Sequence, residues 1–192
     1  MSVPLCADSV PLPTQLAGVS ATVNGVRAPL YYVSPGLLNI QIPYEATPNN
    51  TAVLTVNNNG LTGSLALFLG AAAPGIFSDP FVTLVPTSSA ARGQTVALYL
   101  TGAGAVTPAV ATGAAPDAGT LLANLPQPLQ TTKVTVAGIP APIQFMGIPS
   151  GLVGVVQINF QVPDTVPLGA QALVVTVGST SSAPVTLNVT DH

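Results

Sequence analysis

The sequence predicts an all-β chain of two β-sandwich domains related by an internal duplication. Three observations carry this prediction. Short runs of alternating apolar and polar residues recur between turn residues along the 192-residue chain. A helical period is nowhere sustained over the roughly 11 residues needed to read one, so little helix is expected. An apolar strand with amides on one face and a closing proline occurs twice. It is Gly-Leu-Val-Gly-Val-Val-Gln-Ile-Asn-Phe-Gln-Val-Pro at 151–163 and, in a shorter copy, Gly-Leu-Leu-Asn-Ile-Gln-Ile-Pro at 36–43.

Residues 1–18 carry Pro4, Pro11 and Pro13 and read as an irregular lead-in. Residues 19–23 alternate, and Asn24-Gly25 is a strong hairpin signal, with 28–33 as the return strand. Strand 37–42 ends at Pro43, because proline cannot donate to a sheet ladder. Strands follow at 51–56 and 61–69, joined through Asn57-Asn58-Asn59-Gly60. The apolar Gly-Ala-Ala-Ala-Pro-Gly at 70–75 predicts a boundary, giving domains at 1–70 and 71–192. In the second domain a strand is expected at 81–85. A clearer one at 94–101 has Val96, Leu98 and Leu100 on one face and ends in Gly102-Ala103-Gly104. Residues 107–131 form a Pro/Gly/Ala-rich excursion with one helical turn at 121–125. Strands resume at 133–137, 140–146, 153–162, 170–177 and 183–189.

The duplication sorts the faces. Val23 to Leu30 superimpose on Val136 to Ile143 at an offset of 113, and Asn39-Ile40-Gln41-Ile42-Pro43 on Asn159-Phe160-Gln161-Val162-Pro163 at 120. One seven-residue insertion within 147–156 explains the step, and the offset of 120 extends through Ala52 on Ala172, Leu65 on Val185 and Leu67 on Leu187. Leu30, Tyr32, Ile40 and Ile42 are therefore expected to face a core. Tyr31, Asn39, Gln41, Asn159 and Gln161 are expected to face away from it. The first unit has no counterpart of the 94–101 strand and reads as lacking N-terminal strands. Its open edge calls for cover from residues 1–18, from the second domain or from another chain, since a flat unpaired edge invites pairing.

Composition bounds the function. Charged residues are 5% of the chain against 48% hydrophobic, and the only Lys and Arg are Arg27, Arg92 and Lys133. Phosphate neutralisation has no basic patch to work with, so nucleic acid is excluded as a partner, and anionic membrane docking with it. No apolar run reaches the roughly 18 residues of a membrane-spanning helix. No signal peptide is read in this chain, and its abrupt start reads as a piece of something longer. Cys6, the single cysteine, cannot form an internal disulfide.

Catalytic chemistry finds little footing. The one histidine is the terminal His192, and the six acids are scattered singly, so neither a triad nor a carboxylate pair is indicated. No zinc or calcium spacing occurs, and no cofactor is expected. The amides Asn39, Gln41, Asn159 and Gln161, with Tyr31, form the ligand-facing candidate set, suited to hydrogen-bonding sugars. The plainer reading, favoured about four to one, makes them a structural amide network, because duplicated residues usually serve the repeated fold. The 107–131 excursion reads as a spacer, being free of aromatics and nearly uncharged. Asn49-Asn50-Thr51 and Asn188-Val189-Thr190 fit the glycosylation pattern, which such Asn- and Thr-rich sequence meets by chance.

Several stretches carry a family resemblance. They are Ala-Gly-Val-Ser-Ala-Thr-Val-Asn-Gly-Val at 17–26, Tyr-Val-Ser-Pro-Gly at 32–36, Asn-Ile-Gln-Ile-Pro at 39–43 and Ala-Pro-Gly-Ile-Phe at 73–77. Leu-Tyr-Leu-Thr-Gly-Ala-Gly at 98–104 and Val-Gln-Ile-Asn-Phe-Gln-Val-Pro at 156–163 complete the set. Over nearly its whole length the chain resembles the Solibacter-type uncharacterised C-terminal domain, a module of large secreted acidobacterial proteins. The resemblance implies a pair of immunoglobulin-like sandwiches, the second also similar to the IPT/TIG class, and carries over no catalytic residue. Family members usually have a further Gly-ended strand before the first unit, which is missing here.

The reading is a non-catalytic structural or interaction module of a secreted or cell-surface bacterial protein, with adhesion among its expected roles. The alternative is a carbohydrate-binding module. The expected partner is a protein or a polysaccharide, with a homo-oligomer formed through a sheet edge as a further form of association.

Overall fold

The computed structural model describes residues 4–46 and 51–191. Asn49, Asn50 and His192 lie outside the described residues. The chain divides into two compact units. One comprises residues 1–71 with 109–119 and 150–154, the other residues 72–108, 120–149 and 155–192. A single cut near residue 70 does not reproduce this division, because two later stretches belong to the first unit.

The first unit holds β1 (Leu5–Cys6), β2 (Gln15–Leu16), β3 (Val19–Val23), β4 (Val26–Ala28), β5 (Leu30–Ser34), β6 (Leu37–Ile40), β7 (Ala52–Asn58) and β8 (Leu61–Leu67). One sheet runs β2-β3-β7-β8, with β4 also on β3; the other runs β1-β5-β6. The turn between β3 and β4 has Asn24 at φ 51 and Gly25 at φ 81, both left-handed, as an Asn-Gly hairpin requires. Pro29 interrupts the return strand and passes the chain from one sheet to the other. Its carbonyl accepts the Gln41 N–H at 2.9 Å.

The second unit holds β9 (Gly75–Ile76), β10 (Ser89–Ala91), β11 (Thr95–Thr101), β12 (Val106–Thr107) and β13 (Gln127–Pro128). It continues with β14 (Thr132–Val136), β15 (Ile139–Ala141), β16 (Ile143–Gly147), β17 (Val156–Gln161), β18 (Gly169–Val177), β19 (Thr180–Ser181) and β20 (Val185–Thr190). Its two main sheets run β10-β20-β18-β14-β15, with β19 also on β18, and β16-β17-β11-β9, and β12 and β13 form a separate pair. Each unit is thus an immunoglobulin-like β-sandwich, its sheets facing each other across alternating inward residues. The expected helical turn is a short 3-10 turn, Leu122–Asn124. The expected strand at 81–85 is instead a bent segment making isolated bridges at Thr83 and Leu84.

The duplication is visible in hydrogen bonds. Pro142 carbonyl accepts the Gln161 N–H at 2.9 Å, as Pro29 does for Gln41. Ala46 N–H reaches Pro43 O at 3.0 Å, and Val166 N–H reaches Pro163 O at 3.2 Å, closing the same turn in both copies. Ala137 and Gly138 repeat the left-handed pair of Asn24 and Gly25.

Two expectations from the repeat need correction. Val23 pairs with Leu54, and its counterpart Val136 pairs with Leu173, so the offset along β7 is 119 rather than 120. Ala52 therefore falls on Gln171, not Ala172. A one-residue slip exchanges the faces of a strand, and only this register keeps Ala52, Leu54 and Val56 inward. Tyr32 is only half-buried, because the β5–β6 register shifts between Leu30 and Tyr32 and Val33 takes the next core position. The same shift recurs between Ile143 and Phe145.

The cores differ in completeness. Ile158, Phe160, Leu173, Val175 and Leu187 of the second unit are 0% exposed. Their counterparts Leu38, Ile40, Leu54, Val56 and Leu67 in the first unit are only half-buried. Val96, Leu98 and Leu100 of β11, with Leu84 and Ala90 ahead of it, close the second core. β11 lies antiparallel to β17, and β10 parallel to β20. Among the described residues, the matching outer edges of β6 and β8 carry no strand. Residues 4–18 do not cover them, since β1 pairs with β5 and β2 with β3.

Candidate functional site

In the first unit the sequence-selected residues meet the two late stretches. Tyr31, placed at the β5 bulge, donates its hydroxyl to the Val153 carbonyl at 2.6 Å and accepts the Val153 N–H at 2.8 Å. Gln41 follows β6 and is buried, because 109–119 and Gly154 lie over it. Its Oε1 accepts the Gly113 N–H at 2.7 Å, and its amide hydrogen-bonds the Tyr44 hydroxyl. Gly113 in turn accepts the Leu12 N–H at 2.8 Å, tying the lead-in to the same point.

Thr112 extends the cluster: its Oγ1 accepts the Tyr44 N–H at 3.0 Å and donates to Glu45 Oε2 at 2.6 Å. That hydrogen bond holds the exposed Glu45 carboxyl below its usual range. Burial raises the phenol of Tyr31 against the lowering effect of the Val153 contact. Burial also raises Tyr44, opposed by the Gln41 bond and reinforced by the neighbouring Tyr31. Both phenols are thus held neutral well past the physiological range.

The remaining candidates lie elsewhere. Asn39 is exposed on β6. In the second unit Asn159 accepts from Gln157 Nε2 at 2.8 Å, and Gln161 donates to the Gly93 carbonyl at 2.9 Å. The five residues therefore do not converge. Tyr31 and Gln41 share one cluster, Asn159 and Gln161 sit in the other sandwich, and Asn39 stands apart. Asn188, of the second glycosylation match, donates to Ser89 Oγ at 3.2 Å.

Sequence reasoning missed Tyr44, Thr112, Gly113 and Val153, which complete the cluster. The signals were the seven-residue insertion, which supplies Val153, and the 107–131 excursion. The middle of that excursion is part of the first sandwich rather than a spacer.

A hollow of ≈ 380 Å³ also lies on the first unit, lined by Gln15, Ser20, Thr22, Arg27, Asn57 and Asn59 among others. It offers hydroxyls, amides and one guanidinium. Ile42, expected in the core, is 38% exposed where Val162 is 0%. Leu65 is 66% exposed where Val185 is 5%. Both lie at the uncovered flank, so exposure there follows from missing cover and not from a reversed face. Leu37, Leu61 and Phe68 add exposed apolar surface along or just beyond β6 and β8.

The two sandwiches place the chain in the immunoglobulin-like all-β class, on its own sheet order. No family model matches the chain, and no curated protein matches it. Among solved structures it is similar to domains 4–9 of the surface layer protein SbsC, at 14% identity and TM-score 0.31, over 94% of this chain and 23% of that one. A three-domain titin tandem matches at 14% identity and TM-score 0.29, over 95% of this chain and 57% of that one. A second titin immunoglobulin tandem matches at 11% identity and TM-score 0.28, over 93% and 91%. The chain spans less than a quarter of the first and a little over half of the second. Among the described residues no helix is long and apolar enough to cross a membrane.

Proposed function

We propose that this chain is a non-catalytic structural or interaction module of a secreted or cell-surface protein, of the Solibacter-type C-terminal family its motifs resemble. One observation carries the reading: the glutamine repeated in both units is bound within each frame. Gln41 holds Gly113, and Gln161 holds the Gly93 carbonyl. A side chain so engaged fixes backbone and is not free to read a ligand. Low charge and uncovered apolar strand edges fit association through main-chain pairing rather than electrostatic docking.

Gln41→Ala and Gln161→Ala test the reading. In a structural role each variant lowers the thermal midpoint, and the wild-type chain leaves a glycan array blank. Glycan binding that both variants abolish, with the midpoint unchanged, would overturn it in favour of a carbohydrate-binding module.

A further inference from the structure

We propose that the hollow on the outer face of the first unit is a binding site for a single carboxylate group, held by Arg27. This goes beyond the module reading and does not rest on it. The hollow lies on the sheet β2-β3-β7, beside β4, and wholly within one unit. Its ≈ 380 Å³ is ample for a carboxylate and the carbons that bear it. Ser20 and Thr22 face it while Val19, Ala21 and Val23 turn into the core. Strand pairing sets the floor. Gln15 stands opposite Ser20, Ser20 opposite Asn57, and Arg27 opposite Thr22. Side chains directly opposite have Cβ atoms about 4.5–5.5 Å apart, and residues two apart on one strand are spaced by roughly 7 Å. One bound group therefore reaches several of them at once. β1 lies on β5 in the other sheet, and neither β6 nor β8 lines the hollow.

The lining is rich in donors that the frame does not use. Among the described residues, the side chains of Thr14, Gln15, Ser20, Thr22 and Arg27 make no hydrogen bond or ion pair. Asn57 Oδ1 accepts the Gly60 N–H at 2.8 Å, which leaves its NH2 group to donate. No Asp or Glu lines the hollow. Arg92, by contrast, is bound to the Val166 carbonyl at 2.8 Å and lies 3.7 Å from the Asp191 carboxylate. A guanidinium among hydroxyls and amides, with no carboxylate of its own, is complementary to an oxyanion. One cation balances one negative charge, and its planar fork matches a carboxylate through two parallel hydrogen bonds. No aromatic ring lines the hollow to stack a neutral sugar. The repeat points to a role special to this unit. Lys133, Pro140 and Thr176 stand in the second copy where Ser20, Arg27 and Asn57 stand here, with Pro140 opposite Thr135 as Arg27 is opposite Thr22. The shared frame folds without an arginine at that place, whereas the glutamines that hold the frame occur in both copies.

The probe is sodium acetate, titrated into the isotope-labelled intact chain at constant ionic strength, with sodium chloride as the balancing salt and amide resonances as the readout. The expected result is a saturable shift of the Ser20, Thr22 and Arg27 amides, half complete in the millimolar range, as one exposed guanidinium allows. Arg27→Gln should weaken binding about tenfold or more, the loss of a charge-assisted hydrogen-bond pair. Arg27 is exposed, so this variant should keep the wild-type melting midpoint. Arg27→Lys keeps the charge without the fork and should recover only part of the affinity. Glutamate capped at both ends separates the sources of the group. Tighter binding than acetate assigns the site to a side chain of a peptide segment, equal binding assigns it to a small free acid, and either supports the proposal. Absence of a saturable shift overturns it, and so does binding that Arg27→Gln leaves unchanged. An equal response to methyl glucoside overturns it in favour of a neutral sugar. Affinity in the millimolar range leaves a glycan array blank, so the Gln41 and Gln161 variants still test the module reading separately.

Discussion

Gly113→Ala should destabilise the first unit by more than its backbone conformation alone explains. Gly113 has φ +83, and an added Cβ would stand 3.2 Å from Pro29 Cγ and 3.3 Å from the Leu12 carbonyl oxygen. Holding a residue with a side chain in the left-handed region costs about 1–2 kcal/mol. If the segment shifts to relieve the contacts, the 2.7 Å bond to Gln41 is lost. Leaving that buried amide oxygen unsatisfied costs about 1–3 kcal/mol. The two routes compete rather than add fully, so the expected loss is about 2–3 kcal/mol. Gly25→Ala is the control, because Gly25 has φ +81 and open space around its Cβ position. Urea unfolding followed by circular dichroism gives both values. A Gly113→Ala cost no greater than that of Gly25→Ala would refute the idea that the 109–119 stretch is clamped through Gln41.

Two further outcomes follow from the cores and the phenols. Phe160→Ala should cost about 3–5 kcal/mol as a fully buried aromatic, and Ile40→Ala roughly half as much, since its environment is already half open; equal losses in chemical denaturation would mean that the first core is closed in solution. Burial raises the folded-state pKa of Tyr31 and Tyr44. Their contribution is thus fully present below the unfolded phenol value of about 10 and is lost as pH rises through the higher folded values. The melting midpoint should fall across that alkaline window, and Tyr31→Phe should flatten part of the fall.

Much of the frame was legible in the sequence because period and turn chemistry are local. Asn24-Gly25 sets its hairpin through two left-handed residues, and Pro43 and Pro163, which lack an N–H, stand just beyond the ends of β6 and β17. The bulge beside Tyr31 was not legible, since it depends on how β5 meets β6 and leaves no mark on composition. Nor was the register of β7, where one extra residue in the preceding loop, relative to the second copy, exchanges the faces of Ala52 and Val53. The Tyr31–Val153 and Gln41–Gly113 contacts join residues 122 and 72 positions apart. Only the insertion and the excursion hinted that something distant had to be met. Ile42 was correctly assigned a core face yet remains exposed, because alternation tells which way a side chain points and not whether anything lies opposite.

The first sandwich is assembled from three separate stretches of one chain, and that sets an order of events. A nascent polypeptide emerges N-terminus first, at about 5–20 residues per second. The strands up to β8 are therefore made well before Thr112, Gly113 and Val153, which clasp them. Until residue 113 has left the ribosome Gln41 has no amide to hold, and until residue 153 has followed Tyr31 has no backbone to grip. The early sandwich must wait, part-formed, for a sequence that also threads through the second unit. Native contacts of such long sequence separation slow folding. Severing the chain near residue 70 would release a first half without its clasp, so the two sandwiches should melt as a linked pair rather than as independent beads.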